Sequence, residues 1–330
     1  ALAGVLGSEV VPRPAGLCTG CPERPLFSAI KQLQKNYGEV YHISADIGCH
    51  SFATLPPFNL GSTIMGYGFS LASSSAIRSK LPHRAISVMG DGGFWHNGLS
   101  TGVSSAVFNR HDGVLIIVDN GYSAATGGQD IPSFVEPENL IATTREPRID
   151  QQPIESAVKG VGVEWVRTVR TYDIARMKST IDEALTTEYN GLKVIVAEGE
   201  CMLNKQRRIK PQLAKRINEG KRTVKERFVV DSETCTGDHA CIRLSGCPSL
   251  TIKENPDPMR VDPVAYVDNS CVGCGVCGSN VHSAVLSPSF ARAELVFNPG
   301  WWDRLSGSCR VRVIGYLQAR VLQQEAERAL

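Results

Sequence analysis

The sequence has almost no net charge and no long apolar run. Among 330 residues, 35 Lys and Arg side chains nearly balance 33 Asp and Glu side chains, which leaves a formal charge of +2. A charge this small gives no overall attraction to nucleic acid or to an anionic membrane. No apolar run approaches the roughly 20 residues that a membrane-spanning helix needs. We therefore expect neither a nucleic-acid partner nor a membrane anchor.

Size and composition are those of a globular protein with unusual cysteine content. Hydrophobic residues make up 42% of the chain, and the length allows two domains, or one large and one small. The first residue is Ala1 rather than Met, so we expect a piece of a longer polypeptide. Eleven cysteines are present, several of them in CxxC arrays. That spacing favours metal or iron–sulfur ligation in a reducing, cytoplasmic compartment over secreted disulfides.

Two apolar runs in the first half of the chain end in polar turns. Residues 85–89 run into Gly90-Asp91-Gly92, and residues 114–118 run into Asp119-Asn120-Gly121, with a helix-like segment between them. A strand, a crossover helix and a second strand pair in parallel. Carboxyl ends of parallel strands meet at one edge of a sheet, so Asp91 and Asn120 should face one crevice. The fold class that this pattern predicts is α/β, a parallel sheet with helices on both faces.

The two turns carry groups that suit a magnesium diphosphate. Oxygens of Asp91 and Asn120, with a backbone carbonyl near Tyr122, are hard ligands of the kind that Mg²⁺ takes while keeping other positions for water and phosphate. Gly90 and Gly92 let a diphosphate approach the backbone, and the following helix points free N–H groups at the anion. The same residue types are common in ordinary turns, so plain loop chemistry is the alternative for this pattern alone.

Four cysteines should reach the same sheet edge. Cys18 and Cys21 form a CxxC array before a predicted helix, Cys49 follows the strand-like segment 39–47, and Cys201 follows the strand-like segment 192–197. Four thiolates can hold a cubane iron–sulfur cluster. The alternatives are a zinc site or redox dithiol for the CxxC pair, and a small buried hydrophobe for either lone cysteine.

Other segments add a second strand–helix unit and a segment rich in small residues. We predict a strand at 163–169, then a helix capped by Asp173. The glycine- and serine-rich segment 61–81 reads as a helix that packs closely against the sheet or a ligand.

A second cysteine set lies nearer the C-terminus. Cys271, Cys274 and Cys277 form a CxxCxxC run, and a Cys-Pro pair stands at Cys247-Pro248. In two-cluster ferredoxins the cysteine before proline ligates the cluster of the other run, so these four cysteines should share one [4Fe–4S] cluster. Cys235 and Cys241 would belong to a further cluster that is labile, unusually ligated or absent, because only Ser287 or His239 could complete it.

The motifs resemble those of the 2-oxoacid:ferredoxin oxidoreductases. GDG followed by DNGY resembles the diphosphate motif of thiamine-diphosphate enzymes, with DN in place of the commoner NN. CTGCP, DIGCH, LPPFN, GDGGFWHNG and DNGYSAATGGQ occur in the order expected for that superfamily and look most like the thiamine-binding subunit of the indolepyruvate branch. CTGDHACIRLSGCPSL and SCVGCGVCGSNVHSAVL resemble its ferredoxin-like tail. The cofactor-binding residues implied by the resemblance are Gly90, Asp91, Gly92, Asn120, Tyr122, Cys49 and His50.

The resemblance implies oxidative decarboxylation of a 2-oxoacid, an aryl pyruvate such as indolepyruvate, with coenzyme A. Thiamine diphosphate, Mg²⁺ and two or three [4Fe–4S] clusters would pass electrons to ferredoxin. The activating Glu is expected outside this chain, in pyrimidine-binding or gamma-type domains of a larger unit that forms a dimer. The alternatives are a non-redox thiamine-dependent decarboxylase and an electron-transfer subunit with a vestigial thiamine site.

We predict four regions along the chain. They are a thiamine-binding domain at 1–204, a basic linker at 205–228, a ferredoxin-like α+β domain at 229–298 and a C-terminal helix at 299–330. The linker is either solvated or lies against an acidic partner. In the C-terminal helix we expect an apolar stripe packed on its own domain or a neighbour, formed by Val311, Ile314, Leu317, Val321 and Leu322. Cys309 is read as a packed thiol.

Overall fold

The computed structural model describes residues 15–38, 40–134, 151–283 and 289–329. The strands are β1 (Ile43–Ala45), β2 (Thr63–Ile64), β3 (Ile86–Gly90), β4 (Val114–Asp119), β5 (Trp165–Arg170), β6 (Lys193–Glu198), β7 (Thr223–Val230), β8 (Leu250–Lys253), β9 (Val264–Val267) and β10 (Phe290–Phe297).

The helices include one composite element, α3, which begins as Asp91–Gly93, has π geometry over Phe94–Val103 and ends as Ser104–Phe108. The other helices are α1 (Glu23–Tyr37), α2 (Ser70–Ile77), α4 (Ile154–Gly160), α5 (Ile174–Thr186), α6 (Met202–Asn218), α7 (Ala240–Ser245), α8 (Val276–Ser283) and α9 (Trp301–Ala329). Short 3₁₀ turns cover Cys49–Thr54, Arg78–Lys80 and Ala124–Thr126. Ser287 lies outside the described residues.

A six-stranded parallel sheet, in the order β2-β1-β3-β4-β6-β5, confirms the predicted α/β class. Side chains of β4 alternate between two buried clusters, one on each face of the sheet. Ile116 and Val118 belong to one cluster, and Leu115 and Ile117 belong to the other. A strand covered on both faces needs an unbroken apolar run, and this explains why 114–118 is apolar throughout.

The turns at the carboxyl edge of this sheet position the candidate site. Both β3 and β4 end at this edge, and their paired register brings Gly90 opposite Val118. Asp173 caps α5 as predicted, because its carboxylate accepts a hydrogen bond of 3.0 Å from the Arg176 N–H group.

One segment prediction was wrong in part. Residues 61–81 form an edge strand and a shorter helix, because Thr63 and Ile64 pair with β1 and Gly68, at φ +81°, interrupts the chain before α2. The basic segment 205–228 is helical to Asn218 and extended from Thr223. Its many Lys, Arg, Gln and Leu residues are good helix formers, and they outweigh Pro211 inside the helix.

The chain divides into two compact units. The first combines residues 1–205 with 228–291, so the second cysteine set clusters with the parallel sheet, and it contains the antiparallel pair β8–β9. The second unit combines residues 206–227 with 292–330, and within it Arg222 donates to Asp303 at 2.7 and 2.8 Å.

The structure has the predicted C-terminal helix, but the apolar stripe of this helix does not pack on its own domain. The five stripe residues are 51–72% exposed, and Cys309 is exposed rather than packed. Helical periodicity places side chains on one face of a helix but does not indicate what covers that face. No helix within the described ranges combines the length and the apolar character needed to cross a bilayer.

Candidate functional site

The seven residues predicted to bind the cofactor line one cavity at the carboxyl edge of the sheet. Three elements supply them: the β3–α3 turn, the turn after β4, and the 3₁₀ turn after β1. The lining also includes side chains that sequence reasoning missed, among them Glu23, Tyr67 and Ser123. The topology therefore brings together residues that lie far apart in the chain, from Glu23 to Ala125.

Asp91 joins the two strand-end turns. Its side chain is 1% exposed. One carboxylate oxygen accepts the Gly92 N–H at 2.7 Å, and the other accepts the N–H groups of Asn120 at 2.9 Å and Gly121 at 2.7 Å. Asn120 Oδ1 in turn accepts the Tyr122 N–H at 2.9 Å. Burial raises the pKa of Asp91, although these backbone N–H groups act in the opposite direction.

The glycines after Asp91 keep the cavity open. A Cβ atom on Gly92 would overlap the Tyr67 hydroxyl and Ser123 Oγ, which lie 2.7 Å apart and hydrogen bond to each other. A Cβ atom on Gly93 would overlap the Asp46 carboxylate. Glycine at these two positions leaves room for the neighbouring side chains.

A buried ion pair supports the floor of the cavity. His50 Nε2 lies 2.5 Å from Asp46 Oδ1, and both side chains are at most 2% exposed. Asp46 Oδ2 accepts the Gly68 N–H at 2.8 Å. Burial alone would lower the pKa of His50, but the hydrogen bond and charge of Asp46 raise it above its ordinary value. His50 was predicted from the DIGCH motif, and the Asp at the end of β1 in the same motif was the signal that could have identified Asp46.

Glu23 lies between the cofactor cavity and a neighbouring cysteine cavity, since it lines both. It is 2% exposed, and its Oε2 atom has no hydrogen-bond partner among the described residues. Burial, with the nearby carboxylates of Asp91 and Asp46, raises the pKa of Glu23 to about 7, although His50 opposes this shift. Its position directly after the CTGCP motif gave no sign of this location.

Cys18, Cys21, Cys49 and Cys201 converge as predicted on the cysteine cavity, called the proximal cavity from here. Asn120 and Tyr122 line it as well as the cofactor cavity. The Cys201 N–H donates to the Asn120 carbonyl at 2.9 Å, which ties the cysteine loop to the turn after β4. Burial raises the pKa of Cys21 and Cys201, and it raises the pKa of Cys49 to about 12. Thiols in such surroundings ionise only with a compensating cation or metal.

Cys247, Cys271, Cys274 and Cys277 line a separate cavity, called the tail cavity. Burial raises the pKa of Cys277, and it raises the pKa of Cys274 to about 11. In neither cavity do the described side chains form a ready-made site: no group of three or more His, Cys, Asp or Glu residues is arranged to hold a single metal ion.

Cys235 and Cys241 lie outside the lining of the tail cavity but are buried beside it in one apolar cluster. Burial and the nearby Cys235 raise the pKa of Cys241 to about 11. His239 Nε2 lies 3.1 Å from the Pro263 carbonyl, so that ring nitrogen already has a partner. Ser287, the other predicted ligand, lies outside the described residues. The further cluster stays a prediction.

Comparison with known proteins identifies the sheet domain. Residues 46–197 match the family described as thiamine pyrophosphate enzyme, C-terminal TPP binding domain. This range contains the cofactor cavity except for Glu23.

Curated relatives carry the name indolepyruvate oxidoreductase subunit IorA. The chain is 29% identical to the protein of Methanothermobacter thermautotrophicus over 82% of this chain and 39% of that protein. It is 30% identical to the protein of Thermococcus kodakarensis over 82% of this chain and 40% of that protein. The chain thus spans about two fifths of the length of these relatives.

Among solved structures, one similar chain is the 2-oxoglutarate:ferredoxin oxidoreductase from Magnetococcus marinus, with 2-oxoglutarate, coenzyme A and succinyl-CoA bound. The match has a TM-score of 0.46 and 16% identity, and it covers 58% of this chain and 66% of that one.

Proposed function

We propose that the chain, whose residues 46–197 match the thiamine pyrophosphate enzyme C-terminal domain and which is similar to IorA subunits, is the cofactor-binding part of a 2-oxoacid:ferredoxin oxidoreductase. The observation that carries the proposal is the placement of the proximal cavity, with four cysteines, directly beside the cofactor cavity. A thiamine enzyme without a redox step has no use for four thiols at that position.

In the proposed site, residues of the cofactor cavity hold thiamine diphosphate and Mg²⁺. Bound thiamine diphosphate supplies an electron sink for decarboxylation of a 2-oxoacid. Asp91, Asn120 and the Tyr122 carbonyl would hold the Mg²⁺ ion, whose other positions suit diphosphate oxygens and water. Gly90 and Gly92 admit the diphosphate to the backbone, and the pair of His50 and Asp46 supports the floor of the cavity. The donor set fits the ion, because it consists of oxygen atoms on two rigid strand ends.

The two cysteine quartets would each hold one [4Fe–4S] cluster. Every predicted ligand of the proximal quartet lines the proximal cavity, and every predicted ligand of the tail quartet lines the tail cavity. Electrons would leave the cofactor through the proximal quartet, then the tail quartet, to a ferredoxin.

The substrate and partners follow from the relatives. The name of these relatives contains indolepyruvate, and we propose an aryl pyruvate as substrate and coenzyme A as acyl acceptor. Since the chain spans about two fifths of those relatives, the Glu that activates the aminopyrimidine would come from a pyrimidine-binding domain, and gamma-type domains would complete a dimeric, cytoplasmic enzyme. The four predicted regions would serve as cofactor domain, basic connector, electron-transfer domain and C-terminal helix.

A substrate panel tests the proposal. The complete enzyme containing this chain is assayed anaerobically with aryl, branched-chain and short 2-oxoacids, with and without coenzyme A, and viologen reduction is followed. We expect reduction that depends on coenzyme A and is fastest with aryl pyruvates. CO₂ release without viologen reduction would instead support a non-redox decarboxylase, and iron without bound thiamine would support an electron-transfer subunit.

A further inference from the structure

Arg24 is a guanidinium enclosed by protein. It is 1% exposed and ranks among the largest fully buried side chains of the described residues. Its hydrogen bonds in the described part of the chain run to backbone carbonyl oxygens and not to a carboxylate. Nε donates to the Cys18 carbonyl at 2.7 Å, Nη2 donates to the Leu17 carbonyl, and Nη1 donates to the carbonyls of Ser245, at 3.1 Å, and Gly246.

These carbonyls belong to two loops that are more than 200 residues apart in sequence. Leu17 and Cys18 open the loop of the proximal quartet, whereas Ser245 and Gly246 immediately precede Cys247 of the tail quartet. One planar side chain thus holds both loops, and its fork geometry fixes their relative position. The Ser28 hydroxyl, which donates to the Leu244 carbonyl at 2.6 Å, fastens α1 to the same tail loop.

The loop of the first CxxC motif is a wall shared by the two cavities. Cys18 and Cys21 line the proximal cavity, while the residues between them, Thr19 and Gly20, line the tail cavity together with Arg24. Thr19 Oγ1 lies 3.2 Å from Ser249 Oγ on the tail side. A Cβ atom on Gly20, at φ +72°, would overlap Val272 of the second CxxC motif. The two sites are therefore separated by little more than the thickness of this loop.

The charge of Arg24 needs an anionic partner. A buried cation that meets only neutral carbonyl groups is costly, because their dipoles replace part of its hydration but none of its counter-charge. Four thiolates that hold an iron–sulfur cluster carry net negative charge, and Arg24 lines the cavity where the tail quartet would hold one. The proximal quartet begins at Cys18, whose carbonyl accepts a hydrogen bond from the same guanidinium.

We propose that Arg24 is the positioning residue that couples the two cluster sites, fixing their separation and placing one permanent positive charge between them. This inference rests on the proposed function, since it requires both quartets to hold clusters. A positive charge stabilises the reduced, more negative state of each cluster, so Arg24 raises both midpoint potentials. A fixed separation keeps the electron path through the shared loop short.

The test is a redox titration of the complete enzyme, followed by electron paramagnetic resonance. Arg24→Gln removes the positive charge. Arg24→Lys keeps the charge but loses the planar, forked donor geometry of the guanidinium. The control is Arg84→Gln, because Arg84 also donates to backbone carbonyls, those of Leu185 at 2.8 Å and Thr187 at 2.7 Å, at the amino edge of the sheet, although it pairs with Asp112 as well.

We expect both clusters of Arg24→Gln to titrate at more negative potentials than in the wild type. Arg24→Lys should restore the potentials but weaken the magnetic interaction between the two reduced clusters, and Arg84→Gln should change neither. Unchanged potentials and an unchanged interaction in Arg24→Gln, with both clusters loaded, would overturn the proposal.

If an Arg24 variant loses a cluster, its thiamine content and its thermal unfolding decide how that loss is interpreted. Loss of iron from both Arg24 variants, with thiamine content and fold retained, supports positioning of the cluster loops. Loss of iron together with thiamine and fold shows an ordinary structural role and overturns the proposal. A wild-type enzyme without iron would refute the proposed function itself, which is a separate outcome.

Discussion

At the scale of single residues, the carboxylate of Asp91 serves two purposes. It accepts three backbone N–H groups that hold the strand-end turns together, and it is the proposed Mg²⁺ ligand. A carboxylate has about four lone-pair sites, so its oxygens can accept these hydrogen bonds and still bind a cation. The N–H groups also polarise the oxygens before any ion arrives, which prepares the site.

Replacing Asp91 by Asn removes a proposed Mg²⁺ ligand but no predicted iron ligand. The amide removes the charge and turns one donor group towards backbone N–H groups, so the interaction with the divalent ion weakens. We expect thiamine retained after gel filtration to fall by at least about tenfold, while iron content stays unchanged. Asp130→Asn, at an exposed acid, is the control with the same change of charge. Full thiamine content in Asp91→Asn would show that Asp91 is not a ligand.

Residue types at strand ends and in cysteine motifs were predictable, whereas their buried neighbours were not. Asp91 and Asn120 follow apolar runs, and CxxC spacing identifies thiols without any knowledge of the fold. Glu23 and Arg24, by contrast, read as ordinary exposed charges at the start of a helix. The burial of Arg24 depends on the tail segment, more than 200 residues later, and no local pattern contains that information.

At the scale of elements, the β3–α3 turn works because its glycines leave room for the neighbouring side chains. The composite helix α3 has π geometry over Phe94–Val103, and π segments are frequent at functional sites. The apolar runs of β3 and β4 made the parallel pair predictable. The short strand β2 was not predictable, because two residues at the edge of the sheet carry no periodicity.

A methyl group on Gly92 should close the cofactor cavity. Gly92→Ala places Cβ against Tyr67 and Ser123, so we expect thiamine binding to weaken by roughly tenfold or more, which corresponds to about 1.4 kcal/mol. The matched control is Gly102→Ala in the same composite helix, where the nearest atoms lie 3.8 Å or more from the new Cβ. Isothermal titration with thiamine diphosphate and Mg²⁺ measures both variants. Equal affinity for both would contradict the cavity assignment.

The amino edge of the sheet is held by a charge cluster around Asp112. Arg84 Nε lies 2.8 Å from its carboxylate, and Lys193, whose side chain is fully buried, contacts it as well. Burial alone would raise the pKa of Asp112, but hydrogen bonds from Lys193 and Arg84 lower it below its ordinary value. Arg78 and the neighbouring His111 also lie at this edge.

Asp112→Asn should destabilise the sheet domain in a pH-dependent way. A carboxyl group whose pKa is lowered in the folded state stabilises the fold at pH values above its ordinary pKa, about 4. This stabilisation is lost as the pH falls through the folded-state pKa. We expect a loss of about 3 kcal/mol at pH 7 that shrinks as the pH falls below about 4.

Urea unfolding of the chain at pH 7 and pH 3.5 measures this loss. The control is Glu183→Gln, which breaks the exposed pair with Arg167 and should cost at most about 1 kcal/mol. A loss for Asp112→Asn that is the same at both pH values would refute the ion-pair explanation.

At the scale of the whole molecule, the cofactor cavity, the proximal cavity and the tail cavity lie one after another within one compact unit. Residues 228–291 cluster with 1–205, whereas a linker and a separate domain were predicted. The difference arises because α1 and the tail loop are joined by Arg24 and Ser28, contacts that composition along the chain cannot reveal. The order of the three sites supports electron flow from the cofactor to the tail.

Iron and thiamine analysis of the complete enzyme, purified anaerobically, tests this order most directly. The variants are Cys201→Ser in the proximal quartet and Cys247→Ser in the tail quartet, with the exposed Cys309→Ser as control. We expect about eight iron atoms per chain in the wild type and the control, and loss of about four in each quartet variant. About twelve would show that Cys235 and Cys241 support a third cluster with His239 or Ser287. Undiminished iron in Cys201→Ser, or thiamine bound to a wild-type enzyme without iron, would contradict the account.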